Sequence, residues 1–126
     1  MIDLSLPAEQ LLKGCLDKIG ECAETKITAV YNQDAAEAAF EKIRYTLVLD
    51  AKNGRAEAEM QGLKVTESVA EAWVKTRPEY TAAKDAVAAA QLAALAAGMQ
   101  YDIACKCLIT ALAVVNKDTK LALVQA

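Results

Sequence analysis

Tyr80-Thr81-Ala82-Ala83-Lys84-Asp85-Ala86-Val87-Ala88-Ala89-Ala90-Gln91-Leu92-Ala93-Ala94-Leu95-Ala96-Ala97-Gly98-Met99-Gln100-Tyr101 is the stretch that decides the fold. Ten of the sixteen residues from Ala82 to Ala97 are alanine, the strongest helix former. Read in heptads, Tyr80, Val87, Ala94, Tyr101, Leu108 and Val115 occupy one seam position, and Ala83, Ala90, Ala97, Ala104 and Ala111 the other. Alanines in seven-residue register let another helix approach closely, while the alternate position supplies larger knobs. A second apolar face carries Leu92, Leu95, Met99 and Ile103, so the helix needs cover on more than one side. The short chain before it can hardly bury both faces. The sequence therefore predicts self-association, with Ala83, Val87, Ala90, Ala94, Ala97, Tyr101, Ala104, Leu108 and Ala111 at the interface between copies.

Working outward, Pro78 fits the first turn of this last helix, expected over 78–116. From Glu79 onward such a helix is ~57 Å long at 1.5 Å per residue, against ~36 Å for a compact sphere of this chain length. The fold is thus elongated, or the helix breaks near Gly98. Upstream, Thr76-Arg77-Pro78 stops a short helix over 66–76 that carries Val69, Ala72 and Trp73, because a residue before proline avoids α geometry. Thr66 or Ser68 caps it, and Ser68-x-x-Glu71 fits a capping box. Gly62 marks the preceding break. A helix over 34–60 carries Ala36, Phe40, Ile43 and Leu47, and Asn32-Gln33-Asp34 is expected to bend the chain before it. Tyr45-Thr46-Leu47-Val48-Leu49 followed by Asn53-Gly54 also fits a strand and hairpin turn. Helix is preferred there, since Arg55–Met60 is helix-forming and a lone hairpin lacks a sheet to join. The first helix, 7–31, follows a Ser5 cap and presents Leu11, Leu12, Cys15, Leu16, Ile19 and Cys22. The expectation is one all-α domain over 1–126, an elongated helical hairpin or bundle assembled as a homo-oligomer.

Composition agrees. Of 126 residues, 55% are hydrophobic but only 5% aromatic, which excludes disorder and disfavours a β-sandwich or barrel. Histidine is absent, so His-based acid/base catalysis and His-containing metal sites are ruled out. Cys15, Cys22, Cys105 and Cys107 lack zinc-knuckle spacing and read as small packed thiols, the first two one heptad apart on one helix face. The amino-terminal residues lack a basic segment followed by an apolar one, which points to a cytoplasmic protein. The uncharged run Ala86–Tyr101 is sixteen residues, half of them alanine, short of the ~20 that cross a bilayer, so it reads as a helix packed among helices. No phosphate loop, dinucleotide fingerprint, nucleophile elbow or Cys/His pair occurs, and no enzyme activity or cofactor is expected. Glu57 with Glu59 and Glu67 with Glu71 are carboxylate pairs in charge-alternating helical sequence, where a solvated face is the ordinary explanation.

The net charge is −3, but it is uneven. Residues 1–41 carry three bases and eight acids, whereas 42–84 carry eight bases and six acids. Any polyanion contact therefore falls in the middle segment.

Ala56-Glu57-Ala58-Glu59, Lys64-Val65-Thr66-Glu67-Ser68-Val69, Glu79-Tyr80-x-x-Ala83 and the Ala/Leu-rich helix ending Lys106-Cys107-Leu108-Ile109 together resemble small phage-encoded helical proteins of the UvsY-type recombination-mediator family. The likeness covers roughly residues 35–116 and rests on pattern and helix order. It implies a homo-oligomeric helical protein that binds single-stranded DNA and helps load a recombinase onto strands covered by single-strand-binding protein. The positions here that would meet DNA are Lys42, Arg44, Lys52, Arg55 and Lys64, with Tyr45 as a stacking partner. The acidic net charge departs from that pattern. Two rivals stand beside it: a protein-interaction or viral assembly protein, and an acidic nucleic-acid mimic using Asp17, Glu21, Glu24, Asp34, Glu37 and Glu41.

Overall fold

The structure, a computed structural model, describes residues 7–59 and 65–125; Ser5, Gly62 and Lys64 lie outside them. Four helices follow in order, α1 (Ala8–Lys52), α2 (Arg55–Glu59), α3 (Glu67–Lys75) and α4 (Pro78–Gln125), with no strand among the described residues. The chain is all-α.

Helix α1 begins where the Pro7 carbonyl accepts from the Leu11 amide at 2.9 Å. It is one helix of 45 residues, so the two helices expected over 7–31 and 34–60 are joined through Asn32-Gln33-Asp34. Those polar residues are drawn into the helix instead: Gln33 Nε2 donates to Glu37 Oε1 at 3.1 Å, one turn on. The strand alternative at Tyr45–Leu49 is overturned as well, since these residues continue α1. The Asn53-Gly54 turn signal is real but ends a helix. Asn53 N donates to Leu49 O at 2.9 Å, and Gly54 takes φ 104°, the left-handed conformation that commonly closes a helix. The helix expected over 34–60 is therefore split between α1 and α2.

Thr66, not Ser68, caps α3: its Oγ1 accepts from the Val69 amide at 3.3 Å, and Ser68 sits inside the helix. The stop before Pro78 is where the sequence puts it. Arg77 N still donates to Val74 O at 3.0 Å, and Arg77 O then accepts from Thr81 N at 3.2 Å to start α4. Pro78 has no N–H to lose at that first helical position. Helix α4 passes Gly98 without interruption and extends beyond Asn116.

Tertiary contacts divide the chain into two compact units, Met1–Ala29 with Ala93–Ala126, and Val30–Leu92. Each has its own small core instead of sharing one centre. In the second, Leu47, Ala51, Ala56, Ala70, Trp73 and Val74 are buried together, with Ile43, Val48, Val65 and Tyr80 against them. Phe40 and Tyr80 add a tilted ring pair at 5.2 Å. In the first, Leu11, Cys15 and Ala111 form the core, flanked by Leu12, Leu108 and Val115. We refer to these as the Trp73 unit and the Cys15 unit.

Candidate functional site

The described strand-binding candidates, Lys42, Arg44, Tyr45, Lys52 and Arg55, lie in the Trp73 unit, where neighbouring acids engage the arginines. Arg44 pairs with Glu41 at 3.3 Å, one turn back on α1. Arg55 meets Asp50 at 3.3 Å, Glu79 at 3.8 Å and Glu59 at 3.9 Å. Lys42, Tyr45, Leu49 and Lys52 share one side of α1 at helical spacing, and Tyr45 is 66% exposed. No ion pair among the described residues engages Lys42 or Lys52.

Arg55 also belongs to a cluster that the sequence reading did not find. The Trp73 ring is buried, with the Arg77 guanidinium 4.7 Å and that of Arg55 5.3 Å from its centre. Its Nε1 donates to Glu59 Oε2 at 2.9 Å, and Arg77 Nη1 donates to the same oxygen. This arrangement ties α2 and α3 to the start of α4 through one carboxylate and two cation–π contacts. It is a structural knot, with Trp73 in the core. The signal that could have found it is the two four-residue spacings Arg55/Glu59 and Trp73/Arg77, but they lie on different elements, so spacing alone does not bring them together.

An open hollow lined by Arg44, Val48, Glu71, Val74, Lys75 and Tyr80 measures about 160 Å³. That is under the ~300 Å³ at which pockets for drug-sized ligands begin. The described residues include no group of three or more Cys, Asp or Glu able to hold a metal ion.

The alanine seam is found on the inner side of α4, covered by the chain itself. In the Cys15 unit Ala97, Ala104 and Ala111 are buried and Ala94, Tyr101 and Leu108 half-buried. In the Trp73 unit Ala83 is buried, with Val87 and Ala90 half-buried. Of the nine positions expected between copies, Ala83, Ala97, Ala104 and Ala111 are thus covered within the chain, and the other five are half-buried. In the Cys15 unit α1 carries a matching small-residue seam: Cys15, Cys22 and Ala29 are buried at seven-residue spacing, and Cys15 packs with Ala111. Burial pushes the Cys15 thiol above its ordinary pKa, helped by nearby Cys107. A hydrogen bond with Cys105 raises Tyr101, over whose ring Lys26 Nζ lies at 4.9 Å.

Large apolar residues of α4 point the other way. Leu95 is 63% exposed, Met99 58%, Ile103 51% and Ile109 66% in the Cys15 unit, and Leu92 is 68% exposed in the Trp73 unit. From Pro78 to Lys117 the helix is long and apolar enough to cross a membrane, with mean hydropathy 1.3 in its best window. The six acids proposed as a nucleic-acid mimic are divided between the units. Three of them already have partners, Glu21 with Lys18, Glu37 with Gln33 and Glu41 with Arg44.

No protein-family model, curated protein or solved structure matches this chain.

Proposed function

We propose that this chain is a non-enzymatic helical assembly protein that works as a homo-oligomer, using the outer face of α4 as its contact. The observation that carries this reading is the inversion of α4. Its small residues are buried against the chain, and Leu95, Met99, Ile103 and Ile109 are each more than half exposed along the opposite side. Contiguous exposed apolar surface of this kind marks interaction sites. Covering one such side chain contributes about 1–2 kcal/mol. Two copies offer eight, ~8–16 kcal/mol in total, which is of the order of the association cost of ~4–15 kcal/mol. Lipid is the poorer cover: Asp102 and Lys106 lie on the same exposed face, and each costs ~2.5–3.5 kcal/mol at the centre of a spanning helix. Leu11 meeting Ala111 and Lys26 meeting Tyr101 support a helical hairpin inside the Cys15 unit.

The test is the solution mass of the full chain by light scattering, beside a Leu95→Lys/Met99→Lys variant. The wild type is expected as an oligomer and the variant as a monomer of equal helicity. A monomeric wild type, or one that floats with phosphatidylcholine vesicles without gaining mass, overturns the reading.

One observation favours single-stranded DNA as a second ligand: Tyr45 stands exposed between Lys42 and Lys52, an arrangement suited to sequence-tolerant base stacking. With two cations engaged, log K for an oligo-dT strand should fall with log salt at a slope of about −1.4. Tyr45→Ala/Lys42→Ala should abolish binding, and unchanged binding at low salt removes this reading.

A further inference from the structure

We infer that the outer face of α4 in the Cys15 unit pairs with the same face of a second copy, antiparallel, about a two-fold axis level with residue 104. This rests on the self-association reading above and adds direction and partner residues to it.

The face repeats in alternating steps of four and three: Leu95, Met99, Asp102, Lys106, Ile109 and Ala113, every one exposed. Such a stripe, about 27 Å long at ~1.5 Å per residue, is a coiled-coil seam in its own right. Its four apolar members accept many registers. Its two charged members accept one. Asp102 and Lys106 form no ion pair with each other or with any other described residue of the chain, so both enter the interface with charge to satisfy.

A parallel, in-register pair sets Asp102 against Asp102 and Lys106 against Lys106, which repel. An antiparallel pair centred on residue 104 sets each Asp102 against the other copy's Lys106, twice by symmetry. It also sets Met99 against Ile109 and Leu95 against Ala113. Sliding that pair by one layer sets Asp102 on Asp102 or Lys106 on Lys106, and sliding it by a heptad places Asp102 on Met99 or Ala113 and Lys106 on Leu95 or Ile109, leaving like charges together or charges facing apolar side chains. A two-fold contact is self-complementary, so one opposite-charge pair four residues apart is sufficient to fix both direction and register.

Sedimentation equilibrium on the full chain tests this with two charge reversals at exposed positions, and far-UV circular dichroism checks that helicity is kept. Asp102→Lys alone and Lys106→Asp alone each create two like-charge pairs and should weaken association at least about tenfold. The combined Asp102→Lys/Lys106→Asp chain should associate like the wild type. An equimolar mixture of the two single variants should also recover association, because each supplies the charge the other lacks. If single reversals leave the oligomer intact, or the combined exchange fails to restore it, the register is wrong while self-association stands. A wild-type monomer overturns both.

Discussion

Truncating Trp73 tests whether packing or charge holds the Trp73 unit together. The ring is 2% exposed and lies among Leu47, Ala51, Ala56, Ala70 and Val74. Replacing so large a buried side chain with alanine removes its transfer free energy and leaves a cavity, for a loss of ~3–5 kcal/mol. That is a large share of the ~5–15 kcal/mol by which domains are stable. Trp73→Phe keeps most of the ring but loses the bond from Nε1 to Glu59 Oε2, ~1 kcal/mol, together with a similar amount of packing. Glu59→Gln keeps an acceptor for the indole and gives up only the attraction to Arg77 and Arg55. Because the Glu59 side chain is 42% exposed, that attraction is worth less than about 1 kcal/mol. Urea unfolding followed by circular dichroism should rank the losses Trp73→Ala, Trp73→Phe, Glu59→Gln. With a slope of about 2 kcal/mol per molar urea, the first lowers the midpoint by ~2 M and the last by under ~0.5 M. A Glu59→Gln loss equal to that of Trp73→Ala would refute the argument, since the charge cluster and not the ring would then be holding the helices.

Two further measurements follow from local geometry. Gly54→Ala should cost about 1 kcal/mol or more in thermal or urea unfolding, because its φ of 104° is strained for a side chain, whereas Gly98→Ala, with open space around a built Cβ, should stabilise by ~0.5–1 kcal/mol. The raised Cys15 pKa makes stability fall as pH climbs past 9.0, where the unfolded chain gives up the thiol proton and the folded chain retains it. Urea midpoints at pH 7 and pH 10 should therefore drop more for the wild type than for Cys15→Ala.

Much of the fold was legible because it is periodic. The heptads of α4, the Pro78 restart and the shared face of Cys15 and Cys22 all depend on spacing, and spacing survives without coordinates. Junctions were less legible. Asn32-Gln33-Asp34 carries turn-forming residues, yet one i,i+4 bond from Gln33 to Glu37 keeps it helical, a choice between local options that composition cannot make. Asn53-Gly54 announced a turn correctly but not which elements it joins. On the surface, the bases of 42–84 could be counted but not their partners, and three acids converge on Arg55 from α1, α2 and α4. The seam was visible as a seam, but its partner was not: in the Cys15 unit Cys15, Cys22 and Ala29 of α1 are buried at the same seven-residue spacing as Ala97, Ala104 and Ala111 of α4.

That closure alters what the rest of α4 can do. A helix that buried its leucines inward would leave alanine and polar residues to the solvent and need nothing more. Here alanine takes the interior, so Leu95, Met99, Ile103 and Ile109 are left outside, and the buried residues described in the Cys15 unit are mostly small: Leu11, Cys15, Cys22, Ala29, Ala97, Ala104 and Ala111. So little buried area makes a unit marginal alone. On the proposed association, covering the outer face would become part of folding and stability would depend on concentration, since anything that binds only the folded chain stabilises it by mass action. The thermal midpoint should accordingly rise with protein concentration in the wild type and stay level in Leu95→Lys/Met99→Lys. A wild-type midpoint independent of concentration over a hundredfold range would mean that the small cores suffice and that the outer face of α4 plays no part in folding.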